Sequence, residues 1–183
     1  MKKLQLISTL MVLLISIVTI IYVLQDNMSN QIVKDQVSTV TNEIVQSVEP
    51  IVLQDLANSN NISINFADKP TVILFFTSWC PYCNNDAPKI VQLNNKYKND
   101  LNLYGINLIS RDDIQDVRDF TEKYYIEYPI LLDESGSIYQ KYGGSGFPSL
   151  YFFNSKGEVI DQIIGSTDIA TIESSFLHLI DNF

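Results

Sequence analysis

The only two cysteines of the chain, Cys80 and Cys83, lie in the stretch "FFTSWCPYCNNDAP", residues Phe75 to Pro88. Two sulfurs separated by two residues can form a disulfide staple, half of a metal site or a working dithiol. A staple this tight closes too short a loop to constrain the unfolded chain much, because the entropic benefit grows with loop length. Structural zinc wants four ligands from Cys, His or carboxylate, and the single histidine, His178, stands far off near the C-terminus. Covalent haem attachment needs C-x-x-C-H, and Asn84 occupies the last position. Thiol-disulfide exchange has a direct physical account. If a helix starts at Cys80, its N-terminal N–H groups and dipole favour the thiolate there. Cys80 is then the exposed attacking sulfur. Cys83, one turn further in, is more buried and resolves the mixed disulfide. Trp79 flanks the pair and Tyr82 sits between the thiols; for a lone tryptophan the competing reading is a filler of core or rim.

Several elements must position that pair. "KPTVILFF" is a continuous apolar run of the kind that forms a strand buried on both faces. It delivers the chain to the cysteines, where Pro81 suits the first turn of a helix running to about Lys98. Pro88 lies inside that helix and is expected to kink it. Upstream, "IVLQDL", "ANSNN" and "ISINF" read as a hairpin. Downstream come a strand in "LNLYGINLIS", a helix in "RDDIQDVRDFTEKYY", a short strand "YPILLD" and a brief helix or turn in "ESGSIYQKYGG". A strand "SGFPSLYFF" announced by a proline then turns through "NSKG" into "EVIDQIIGS". The last helix, expected to be capped by Ser166 or Thr167, carries Ile169, Ile172, Phe176, Leu179 and Ile180 on one face. Alternating βα units followed by a hairpin and helix predict an α/β sandwich with a mixed sheet.

The N-terminal part is of another kind. Leu4 to Leu24 contains no charge, proline or glycine. As a helix at about 1.5 Å per residue, the run spans a bilayer core of about 30 Å. Lys2 and Lys3 precede it, which places the N-terminus in the cytoplasm. A cleaved signal would have a shorter apolar core and a small-residue cleavage site, and "QDNMSNQ" lacks one. Residues 1–25 therefore read as a cytoplasmic tip and signal anchor, and residues 50–183 as the exported domain. Residues 26–49 read as a stalk, with Val33, Val37, Val40, Ile44 and Val48 on one helical face. Without the two leading lysines the chain has ten basic against 21 acidic side chains. That balance argues against nucleic acid as a partner.

Taken together, "WCPYC", Pro88 eight positions after Cys80 and the later "GFPS" resemble the thioredoxin superfamily. The anchor, "YPILLD" and "NSKGEVI" are similar to its membrane-anchored TlpA/ResA-like branch. The resemblance covers about Glu49 to Phe183. It implies a thioredoxin-like sandwich whose mixed central sheet is flanked by helices, and extracytoplasmic exchange with exported protein thiols and disulfides without a cofactor. Apocytochrome c or another redox enzyme are candidate clients, and a membrane-embedded thiol carrier is the implied electron donor. The resemblance also implies a cis peptide before Pro148, packed against the sulfurs, with the Phe147 backbone open to a substrate strand. A strand opened by proline is otherwise expected at a sheet edge. Trp79, Pro81, Tyr82, Phe147 and Pro148 become the expected substrate contacts.

The chain departs from the pattern at Leu74, where thioredoxins proper keep a buried acid. Several TlpA/ResA-like members carry an acid six after the first cysteine, which here is Asp86, one turn beyond Cys83 and on its face. From there a carboxylate could take the proton from Cys83; the competing reading is a solvated acid favoured by the helix dipole. Pro81-Tyr82 is the dipeptide of glutaredoxins. A reductant of exported disulfides is the main expectation and a disulfide-forming oxidase the alternative. A copper carrier, using two thiolates and His178, is a third reading.

Overall fold

The computed structural model describes residues 50–142 and 144–183, together with Ile20 and Ile21. The expected anchor and stalk, residues 1–49, otherwise lie outside the described residues. Among the described residues no helix is long and apolar enough to cross a membrane.

Strand β3, Thr71–Phe76, is buried at every position, as its unbroken apolar run requires. Its alternation feeds two cores. Val72, Leu74 and Phe76 join one apolar cluster, and Ile73 and Phe75 join the other. Around it the sheet has seven strands in the order β2-β1-β5-β4-β3-β6-β7. Here β1 is Ile51–Asp55, β2 Asn61–Ile64, β4 Asn102–Asn107, β5 Ile130–Leu132, β6 Ser149–Phe153 and β7 Val159–Ile164. β3 runs parallel to β4 and antiparallel to β6, and β4 runs parallel to β5. The β1/β2 hairpin is antiparallel and docks antiparallel on β5. The sheet is therefore mixed.

The helices are α1, Pro81–Tyr97; α2, Ile114–Lys123; α3, Ser137–Lys141; and α4, Ile169–Asn182. The three longer ones share one apolar cluster: Ala87, Ile90 and Leu93 of α1, Val117 and Phe120 of α2, and Ile172, Phe176 and Leu179 of α4. The opposite cluster takes its buried helical residue, Tyr139, from the short α3. The flanking is thus unequal. The heavily covered face is the one that meets the dithiol.

Two local expectations change. The N-cap of α4 is Asp168, whose carboxylate accepts from the Thr171 N–H, so neither Ser166 nor Thr167 fills that place. β6 lies between β3 and β7, so Pro148 does not open an edge strand. Gly105 on β4 lets three side chains close in. A Cβ there would meet Ile130 Cδ1 at 2.6 Å, with Tyr128 Cε2 at 3.2 Å and Phe76 Cε1 at 3.3 Å.

Candidate active site

Strand β3 ends at Phe76, and Thr77, Ser78 and Trp79 carry the chain to Cys80, the N-cap of α1. Pro81 follows at the first helical position, where its missing N–H costs nothing. The cap has no side-chain hydrogen bond, so no oxygen competes with sulfur for the helix terminus, whose N–H groups and dipole favour an anion. Both cysteines are free thiols. Cys80 Sγ donates to the Phe147 carbonyl at 3.7 Å, a length suited to a weak sulfur donor. The Phe147–Pro148 peptide is cis, and the Pro148 carbonyl accepts from Gly165 N–H at 2.8 Å.

The expected contrast in exposure is smaller than anticipated. Cys80 is 6% exposed and Cys83 3%, so the first sulfur is covered rather than open. The exposed groups are the rings beside it: Trp79 is 59% and Tyr82 61% exposed. Trp79 is thus not a core residue. Its indole N–H donates to the Arg111 carbonyl at 2.8 Å, which holds the ring in place while leaving its surface to solvent.

Cys83 faces the interior. With Leu74, Phe76, Asp86, Ala87, Ile90, Phe120, Tyr128 and Pro148 it lines a space of about 10 Å³, the lower bound for one water molecule. Burial pushes the Cys83 thiol well above its ordinary value of 9.0, and the nearby Cys80 and Asp86 add to the rise. A hydrogen bond from the Thr77 backbone opposes it. The buried Tyr128 phenol is pushed up for the same first reason, with Cys83 adding to it.

Asp86 is 2% exposed, which rules out the solvated-acid reading. Its Oδ1 accepts from Lys89 Nζ at 2.6 Å, Ser166 Oγ at 2.5 Å and Asn85 Nδ2 at 3.2 Å. Lys89 Nζ also donates to the Thr167 carbonyl at 2.6 Å. A buried carboxylate needs such partners. Ser166, expected as a helix cap, belongs to this network instead.

Several residues outside the motif hold the site and were not foreseen. Tyr139 stacks on Phe147, ring centroids 4.7 Å apart at 19°, and its N–H is fixed by Asp133 Oδ2 at 2.9 Å. Asn84 Nδ2 donates to the Ser78 carbonyl at 2.7 Å and the Cys80 carbonyl at 3.0 Å, while its Oδ1 accepts from Tyr124 Oη at 2.8 Å. The capping polarity of Asn84 could have been read one turn into the helix; the tyrosine contacts could not. His178 is exposed on α4 and pairs with Asn182. Among the described residues no group of three or more His, Cys, Asp or Glu is placed to hold a metal ion.

A family model described as "AhpC/TSA family" matches residues 46–162, more than half of the chain. The chain belongs to the AhpC/TSA family. Two curated relatives of this AhpC/TSA chain carry names that state an activity. Sporulation thiol-disulfide oxidoreductase A of Bacillus subtilis is 29% identical over 121 residues, covering 65% of this chain and 73% of the relative. Thiol-disulfide oxidoreductase ResA of Bacillus thuringiensis is 28% identical over 127 residues, covering 67% and 70%. The crystal structure of StoA from Bacillus subtilis superposes with a TM-score of 0.61 at 25% identity, over 69% of this chain and 96% of that one. A secreted disulfide oxidoreductase of Mycobacterium tuberculosis shares the fold, with a TM-score of 0.64 at 22% identity over 70% and 96%. The AhpC/TSA chain is accordingly an enzyme of the thiol-disulfide oxidoreductase class with a thioredoxin-like α/β fold.

Proposed function

We propose that the Cys80–Cys83 dithiol reduces disulfides of exported proteins, from a domain held at the outer face of the membrane by the N-terminal apolar segment. The observation that carries this reading is the placement of the two sulfurs. Cys80 caps α1 beside exposed Trp79 and Tyr82 with its Sγ on the Phe147 carbonyl, and Cys83 is turned into the core.

In this reading a substrate disulfide docks against Trp79, Pro81 and Tyr82, with its backbone along Phe147 and Pro148. The Cys80 thiolate attacks one substrate sulfur, and the other leaves as a thiolate with the electron pair of the broken bond. Cys83 loses its proton to Asp86 and attacks the Cys80 sulfur. The Cys80–Cys83 bond forms, the mixed disulfide breaks, and the substrate departs reduced by two electrons. A membrane-embedded thiol carrier restores the dithiol, and apocytochrome c or another redox enzyme are clients of suitable chemistry.

Two measurements test the reading. A Cys83→Ser variant expressed in cells should accumulate covalent partners through Cys80, and those partners should be exported proteins. The dithiol's reduction potential should lie near that of thioredoxin, about −270 mV. A value near about −120 mV would make the enzyme an oxidant.

A further inference from the structure

We infer that Asp112 is a positioning residue for the resolving step: it clamps Ser78, and through Ser78 and Asn107 it holds the Phe76–Thr77 peptide beside Cys83. The inference rests on the dithiol reading above and adds a residue to it.

Asp112 lies outside the cysteine motif, just after a 3-10 turn, Ile109–Arg111, that follows β4. Its half-buried carboxylate has four donors around it. Oδ2 accepts from Ser78 N–H at 2.6 Å and from Asn107 Nδ2 at 2.8 Å; Oδ1 accepts from Ser78 Oγ at 2.5 Å and from Asp113 N–H at 3.0 Å. Ser78 in turn spends every polar atom, since its carbonyl accepts from Asn84 Nδ2 at 2.7 Å. Asp112 and Asn84, from two different segments, therefore hold Ser78, the residue that precedes Trp79.

The consequence falls on Cys83. The Phe76–Thr77 peptide is gripped at its carbonyl by Leu108 N–H at 3.3 Å and Asn107 Nδ2 at 3.4 Å. The peptide lies beside the resolving thiol, since Phe76 and Cys83 line the same small interior space. Asp112 fixes both neighbours of that peptide, Ser78 by two bonds and Asn107 by one. Hydrogen bonds to an ionised acceptor are among the stronger ones in proteins. The Thr77 backbone opposes the effect of burial on Cys83, so any drift of the peptide leaves the resolving thiolate harder to form.

The size of the effect follows from thiol chemistry. For a thiol titrating above the working pH, each tenfold loss of thiolate is offset about threefold by higher nucleophilicity. Losing a hydrogen bond to a charged sulfur removes roughly ten- to a hundredfold of thiolate. The resolving step should therefore slow about three- to tenfold.

Stopped-flow reaction of the reduced protein with dithiobis-nitrobenzoate separates the two steps. Cys80 attacks the reagent and releases one thionitrobenzoate. Cys83 then attacks the Cys80 sulfur, forms the internal disulfide and expels the second. Asp112→Ala and Asp112→Asn should slow the second release about three- to tenfold and leave the first within about twofold. The asparagine variant should not rescue, because its amide nitrogen meets donors. Ser78→Ala should show part of the loss and add nothing to Asp112→Ala, the signature of one network. Asp116→Asn, which removes an exposed charge on α2, should match the parent protein. An unchanged second phase would overturn the proposal, and so would equal slowing of both phases with a lower melting temperature. A parent protein that releases only one equivalent would instead overturn the dithiol reading itself.

Discussion

Cys80 and Cys83 stand one helical turn apart yet meet opposite surroundings. Cys80 sits at a helix terminus, with a carbonyl for its proton and exposed aromatic rings beside it. Cys83 lies among Leu74, Phe76, Ala87, Ile90 and Phe120, with a buried carboxylate as its polar neighbour. Burial in the second environment penalises the charged form of sulfur. In the proposed mechanism one sulfur attacks and the other waits. In that reading a thiol held neutral by burial does not compete for substrate, and it acts once the Cys80 sulfur presents a mixed disulfide.

The largest expected effects test that division directly. Cys80→Ser should abolish exchange with protein disulfides, by at least about a thousandfold, since the sulfur proposed to attack is gone. Cys83→Ser should keep the attack and lose the release, so that covalent complexes accumulate on non-reducing gels. Complexes trapped by Cys80→Ser instead would reverse the roles.

Next in size is Asp86→Asn. If the carboxylate takes the Cys83 proton, the resolving step in the parent enzyme depends only weakly on pH between about 6 and 9. The asparagine variant must wait for the thiolate to form unaided. With the thiol pushed above its ordinary 9.0, its resolving rate should be about ten- to a hundredfold lower at pH 7 and rise about tenfold per pH unit. The charge effect has the opposite sign. Asp86 raises the Cys83 thiol, so removing its charge alone would speed resolution. Net slowing with a steeper profile therefore isolates proton transfer, whereas an unchanged profile would leave Asp86 a role in packing alone. Single-turnover release of the second thiol across that pH range reads the difference.

The unequal legibility of the two sulfurs has a physical cause. The strand into Cys80, the helix start at Pro81 and the succession of strands along the chain follow from local patterns: apolar runs, proline positions and turn residues; the cis peptide before Pro148 came from the family resemblance. The Cys83 side depends on pairings across long stretches of chain. Asp86 meets Ser166 eighty residues on, and Ser166 read locally as a helix cap. The carboxylate of Asp112 reaches Ser78 across 34 residues, while locally it lay within the run expected to form a helix, "RDDIQDVRDFTEKYY". The extent of Cys80 burial was misjudged for the same reason, since Phe147 approaches from 67 residues away. Polarity was legible in each case, and partnership was not.

The smallest expected effect concerns the Cys80 side. Tyr139 touches neither sulfur, but its ring lies flat on Phe147 and is buried against Phe75 as well. Phe147 is half-buried and its carbonyl already meets Cys80; its backbone is also the edge proposed to align a substrate strand. An aromatic stack contributes about 0.5–1.5 kcal/mol beyond its buried area. Tyr139→Leu removes the stack and keeps most of the apolar volume, so the Phe147 backbone gains freedom at a small cost to the core. Alignment of an extended peptide should suffer, while a small disulfide that needs no strand partner should not notice. The expected result is a loss of about two- to fivefold in the first-step rate with a peptide disulfide. The rate with dithiobis-nitrobenzoate and the resolving step should both stay unchanged. Tyr139→Phe, which keeps the stack and loses only the hydroxyl, should behave as the parent. Equal losses with the peptide and the small disulfide would mean that Tyr139 acts on Cys80 itself, and the Phe147 backbone would lose its place as the substrate-aligning edge.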